Sequence, residues 1–186
     1  MPVFRSALQG QVLAAILLRP TEEVTLTDLA RRFGAPLSTV HREVRRLAAA
    51  QIISERAVGP ARLLRANVSN PAVRPLTELV ALTFGPVHVV REEFENVPHV
   101  ERVLIFGSWA ARYLGEPGPP PRDVDVLVIG KPSRADVYAA ADRAEARLGL
   151  PVQAVVRPHD AFDRPHDALL RQIASAPFVP VIGGDR

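Results

Sequence analysis

The chain has 186 residues, 47% hydrophobic and 23% charged, with a formal net charge of +3, which is ordinary for a globular protein of one domain or two small ones. It contains no cysteine, so a disulfide framework, a thiolate metal site and a cysteine nucleophile are excluded. No apolar run reaches the roughly 18 residues of a spanning helix, and the start Met1-Pro2-Val3-Phe4-Arg5 lacks the charged and apolar regions of a signal peptide. A cytoplasmic protein with no membrane partner is expected.

Charge is unevenly spread. Residues 1–66 hold ten Arg against five Asp/Glu, whereas residues 67–186 hold thirteen Arg/Lys against fifteen Asp/Glu. A basic partner surface therefore belongs to the N-terminal third. There, Leu8, Val12, Leu13, Ile16 and Leu17 recur at the spacing of one helical face over residues 6–18, closed by Pro20. Thr25-Leu26-Thr27-Asp28 predicts a second helix from Asp28 to Phe33, stopped by Gly34. A third helix is expected from Ser38 as N-cap, with Val40, Val44 and Leu47 inward and Ser38, Arg42, Arg45 and Arg46 outward. Ile52–Arg56 and Arg62–Arg65 flank Val58-Gly59-Pro60, the pattern of a two-stranded hairpin with its tip at the turn.

Helix, tight turn, basic helix and hairpin together resemble the bacterial winged helix-turn-helix regulators of ArsR/MarR type, over about the first 66 residues. The resemblance implies double-stranded DNA as partner, with Ser38, Thr39, His41 and Arg42 reaching base edges and Arg45, Arg46, Arg56, Arg62 and Arg65 neutralising phosphates. Asn67-Val68-Ser69-Asn70-Pro71 is a turn cluster, and residues 72–94 read as a long helical connector bent near Gly85-Pro86. Its apolar residues serve either to pack the two ends of the chain together or to form a homodimer, as reading two half-sites requires.

From residue 101 the expected order is strand (101–106), helix (108–114), loop (115–122), strand (123–129), helix (134–148), strand (151–156) and a last helical segment (165–175), a small mixed sheet with helices. The fold class is thus α+β, divided as 1–66, 67–96 and 97–186. Gly107-Ser108 follows a short apolar strand, where free N–H groups meet an anion and glycine allows close approach. Asp123 and Asp125 project to one side of the next strand, and two carboxylates that close call for a cation such as Mg²⁺.

Gly107-Ser108 with Arg112, then Asp123-x-Asp125, resembles the minimal nucleotidyltransferases of the DNA polymerase β-like superfamily. That likeness implies an NTP held by Gly107, Ser108 and Arg112, with Arg112 either steadying a phosphate or bracing the loop, and Mg²⁺ held by Asp123 and Asp125 as the catalytic pair. The chain departs from the pattern at three points. Arginine comes one residue late, Arg122 stands where a serine often precedes the Asp pair, and Gln153 occupies the strand position that usually supplies a third carboxylate. An amide cannot act as a base, which argues against turnover. Three readings follow: a regulator that binds Mg-nucleotide without turnover, an active nucleotidyltransferase modifying a protein, small molecule or RNA end, and a toxin–antitoxin member with a small helical partner. His159, His166 and Asp167 have spacing compatible with a metal but read as a solvated loop.

Overall fold

In the computed structural model, which describes residues 4–59, 61–159 and 168–184, the chain divides into two units, Met1–Gly85 and Pro86–Arg186. The first begins with α1 (Ala7–Leu17), capped by the Ser6 hydroxyl accepting the Gln9 N–H, and it buries Val12, Leu13, Ile16 and Leu17. A short strand, β1 (Val24–Thr25), leads into α2 (Leu26–Phe33). The helix starts two residues before the expected Asp28 because Thr25 is the cap. Its hydroxyl accepts the Asp28 N–H and donates to the Asp28 carboxylate, which is held below its usual pKa chiefly by that bond. Gly34, at φ 57°, ends the helix in the left-handed conformation that glycine adopts without strain.

Helix α3 (Leu37–Ala49) buries Val40, Val44 and Leu47 as expected. Ser38 is not its cap. Pro36 takes that place with its ring-fixed φ of −56°, and its carbonyl receives the N–H groups of Thr39 and Val40. Strands β2 (Ile53–Val58) and β3 (Ala61–Ala66) form the antiparallel hairpin, Ile53 opposite Ala66 and Val58 opposite Ala61, with Pro60 of the tip outside the described residues. β1 adds a third strand along β3, with Val24 opposite Leu64, in the order β1-β3-β2. Two residues carry too little periodicity to announce themselves as a strand.

Helix α4 (Val73–Phe84) packs on α1, and its Phe84 ring lies so near Gly10 that a Cβ there would come within 2.1 Å of it. α4 therefore belongs to the first unit, while α5 (Pro86–Phe94) belongs to the second. The segment 67–96, expected as one connector, is shared between the units and broken where Gly85 is extended before Pro86.

The second unit continues with β4 (Val100–Phe106), α6 (Gly107–Tyr113), β5 (Val124–Gly130), α7 (Arg134–Leu148), β6 (Val152–Arg157), α8 (Ala168–Ser175) and β7 (Val179–Ile182). Its sheet runs β6-β5-β4-β7, with β5 and β6 parallel and the other pairs antiparallel. β7 is absent from the sequence expectation. It is a short edge strand, where Pro180 is tolerated. Period-two alternation feeds two cores: Val103, Ile105, Val124, Val126 and Val128 pack with α5 and α7, and Leu104, Leu127 and Ile129 pack with Leu170 and Ile173 of α8. Residues 165–167 of the expected last helix fall outside the described residues, as do His166 and Asp167. The architecture is α+β, a helix-turn-helix unit followed by a mixed sheet with helices. Among the described residues no helix is long and apolar enough to cross a membrane.

Candidate nucleic-acid interface and candidate nucleotide site

On α3 the inward stripe is apolar and the outward face carries Ser38, His41, Arg42, Arg45 and Arg46, all exposed, with Thr39 partly covered. Arg42 and Arg45 form no ion pair with any described residue, and their guanidinium groups are available to an anion. Arg46 is tied: its Nη1 donates to Glu43 Oε1 at 3.0 Å. Glu43 is the buried charged residue of this unit, 4% exposed.

The hairpin arginines do not form one patch. Arg56 is opposite Leu63 and Ser54 opposite Arg65, so Arg56 and Arg65 share one face, whereas Arg62 shares the other with Glu55 and Leu64. Arg56 is clamped by Glu23, at 2.7 and 3.2 Å, and Arg62 by Glu55 at 3.0 Å. The Arg56 hydrogen bond holds the Glu23 carboxyl below its ordinary range. Glu43, Glu23 and Glu55 have no place in the sequence expectation. Only Glu43 left a signal, sitting between Val40 and Leu47 on the inward stripe of a basic helix.

In the second unit, β4 delivers Gly107 and β5 delivers the two carboxylates. Phe106 is opposite Asp125 in the antiparallel pair, so the turn at Gly107 closes directly over that residue. Gly107 has φ +72°, and a Cβ on it would lie 2.3 Å from Asp125 Oδ2. Glycine is required here both by conformation and by space. Val124 and Val126 are fully buried, while Asp123 and Asp125 are half-buried on the opposite side. On the adjacent parallel strand Gln153 is opposite Asp125, and its Nε2 donates to Asp123 Oδ2 at 3.2 Å.

The pair of carboxylates is electrostatically unrelieved. Burial, and then the neighbouring Asp123 charge, push the Asp125 pKa up. No described arginine, lysine or histidine pairs with either residue, and the Gln153 amide offers one dipole against two charges. Ser108 is exposed at the start of α6. Arg112 is turned beneath the loop before β5: its guanidinium fills the space a Gly118 Cβ would take, and its Nε and Nη1 are buried with no hydrogen-bond partner among the described residues. Of the expected site, then, Gly107, Asp123, Asp125 and Gln153 are gathered at one place, and Arg112 braces the loop. Among the described residues no three His, Cys, Asp or Glu side chains cluster as a metal site; here the third position is the amide. His159 pairs with Glu101, and Asp160 lies outside the described residues.

No curated protein matches the chain. The IclR helix-turn-helix domain matches residues 11–56, from within α1 through α2 and α3 to Arg56 on β2. This match is to an IclR-type helix-turn-helix and agrees with the winged helix-turn-helix character that the helix and hairpin spacing resemble. It spans the exposed Arg42 and Arg45 as well as the clamped Arg46 and Arg56. The N-terminal unit carries a winged helix-turn-helix DNA-binding domain of the kind found in transcriptional regulators.

Proposed function

We propose that the protein is a DNA-binding transcriptional regulator whose C-terminal unit is nucleotidyltransferase-like and binds a Mg²⁺-nucleotide with little or no turnover. The observation that carries the second half is the contact of Gly107 with the Asp125 carboxylate. It joins a glycine turn at the start of a helix to two carboxylates that no described arginine, lysine or histidine neutralises. The donor set suits Mg²⁺: Asp123 and Asp125 would hold the ion, with the Gln153 amide as a neutral neighbour. The ion would neutralise phosphate charge. Gly107 and Ser108, at the start of α6, would offer backbone N–H groups to a phosphate, and Ser108 would add its hydroxyl.

Gln153 is what separates binding from catalysis. Its amide has no basic site to accept the proton of an attacking hydroxyl. The active-enzyme reading, transfer of NMP from NTP to a protein or small-molecule acceptor, draws on the intact Asp123/Asp125 pair and needs its base from elsewhere. On the DNA side the protein acts in the cytoplasm, as a homodimer if its operator has two half-sites.

The test is a calorimetric titration of the full chain with a non-hydrolysable NTP, with and without Mg²⁺, alongside incubation with each α-labelled NTP. Mg²⁺-dependent binding that Asp125→Asn abolishes, without label transfer or pyrophosphate release, is the expected result. Binding indifferent to Mg²⁺ and to Asp125→Asn would sink the nucleotide reading. Pyrophosphate release would establish the active enzyme.

A further inference from the structure

Between the start of α1 and the flank of α3 lies an open basin of about 480 Å³, lined among others by Arg5, Ser6, Thr39, Arg42, Glu43 and Arg46. We propose that this basin seats one phosphate of the DNA backbone, and that Arg5, which lies ahead of the matched helix-turn-helix segment, is a DNA-contact residue. The inference rests on the reading of the N-terminal unit as DNA-binding and deepens it.

The first support is the geometry of α3. At helical spacing its polar residues fall into two stripes: Ser38, His41 and Arg45 on one, Thr39, Glu43 and Arg46 on the other, with Arg42 between them. The second stripe is the one that lines the basin with Arg5 and Ser6. A helix whose first stripe meets base edges turns its second stripe toward the sugar-phosphate strand beside the groove.

The second support is the arrangement of charge. Arg5 Nη2 donates to both oxygens of Glu43, at 2.7 and 2.9 Å, and Arg46 Nη1 donates to one of them at 3.0 Å. The carboxylate side chain is 5% exposed, while those of Arg5 and Arg46 are 54% and 46% exposed. The negative charge is thus beneath and the positive charges above. Three guanidinium groups against one carboxylate leave the basin positive, and each arginine keeps N–H donors that Glu43 does not use.

The third support is that Arg5 is not a loose arm. Its N–H donates to Gln9 Oε1 at 3.0 Å, while the Ser6 hydroxyl accepts the Gln9 N–H at 3.2 Å. This reciprocal cap fixes the Arg5 backbone to α1, and Glu43 fixes its side chain. Both ends are ordered before any ligand arrives, which lowers the cost of binding.

The experiment is fluorescence anisotropy of the full chain with a labelled duplex of its own upstream region and with a shuffled duplex of equal length, across a series of KCl concentrations. Arg5→Ala should weaken both duplexes by a similar factor and flatten log Kobs against log[salt] by about 0.9, the value of one phosphate contact. Arg5→Lys should keep most of the slope, and Arg74→Ala, which removes the same charge from α4 outside the basin, should leave it unchanged. An unaltered slope in a folded Arg5→Ala protein that still binds DNA, or a loss confined to one sequence, would overturn the phosphate seat while leaving the DNA-binding domain intact. Failure of the unmutated chain to bind any duplex would overturn both.

Discussion

The two units handle charge in opposite ways. In the first, positive groups are plentiful and many are compensated: Arg46 by Glu43, Arg56 by Glu23 and Arg62 by Glu55. In the second, two carboxylates stand together with an amide as their nearest relief. An arginine paired one-to-one, as Arg62 is with Glu55, exchanges one anion for another when it meets a phosphate, so its net gain is small, whereas Arg5 and Arg46 share the single Glu43 carboxylate and keep positive charge to offer. A carboxylate pair with no cationic partner is relieved of its mutual repulsion when a cation arrives, a gain that no existing ion pair has to be given up for. The lesson is that the number of charged residues is a poor guide to where a ligand acts most strongly. The small acidic site should respond more sharply to its ligand, residue for residue, than the large basic surface.

The largest effect is expected at the turn itself. Gly107→Ala places a Cβ against Asp125 Oδ2 at a φ of +72°, and the folded state should lose about 3 kcal/mol, read from urea unfolding. Gly118→Ala meets only the far end of the Arg112 side chain, which can move, and should cost no more than about 1 kcal/mol. Equal costs at the two glycines would break the claim that glycine is required at 107 by conformation and by space.

Next come the arginines of the basic surface, where the comparison predicts an order rather than one value. Arg42→Ala removes an uncompensated guanidinium and should weaken DNA binding by about 1–3 kcal/mol. Arg62→Ala frees Glu55 as it removes the arginine, and should cost under about 0.5 kcal/mol. Anisotropy titration at fixed salt measures both. If Arg62→Ala proves the worse of the two, ion-pairing in the free protein does not govern what DNA gains.

The sequence made the apolar stripes and the turn glycines legible, and with them α1, α3, the hairpin and the strands that carry Gly107 and Asp125. Those features rest on local periodicity and on φ, which neighbouring residues determine. The likeness to the nucleotidyltransferases put Gln153 near the Asp pair, while the register that sets it opposite Asp125 is a pairing between distant segments that the structure supplies. What stayed hidden depends on contacts between distant positions. Arg5 and Glu43 are separated by 38 residues, Arg56 and Glu23 by 33, and nothing in either neighbourhood announces the other. Arg112 was expected either to steady a phosphate or to brace the loop, and the choice between them was hidden because loop paths carry no period to read: it lies beneath the loop before β5.

A milder effect tests the acidic site through pH. The Asp125 pKa is raised in the fold, so the folded state holds its proton more tightly than the unfolded chain. Stability should therefore rise as pH falls from neutrality through that pKa. Mg²⁺ should raise Tm at pH 7 and lose its effect in acid, as the carboxylates protonate. Asp125→Asn should raise the metal-free Tm and remove the Mg²⁺ increment, which differential scanning fluorimetry can follow. A metal-free Tm that drops in this variant would show the pair is not under electrostatic load.

The smallest effect belongs to carboxylates of the second unit that do have partners. Glu93 on α5 accepts from Arg147 at 2.6 Å and from Arg143 at 2.7 Å, both on α7, and Arg147 also reaches Glu92 at 2.5 Å. Burial alone would raise the Glu93 pKa, but the two arginines outweigh it and hold it below its ordinary range. The sign is opposite to that of Asp125. The stabilisation is complete above the ordinary carboxylate pKa and is lost as pH falls through the lowered one. The arginines remain about a third to a half exposed, so water screens the pair, and Glu93→Gln should cost about 0.5–1 kcal/mol at pH 7 and less below pH ~4. Unfolding midpoints of Glu93→Gln and Asp125→Asn across the same pH series should therefore diverge in opposite directions from the unmutated protein. Parallel curves would mean that the paired and unpaired carboxylates of this unit feel the same field.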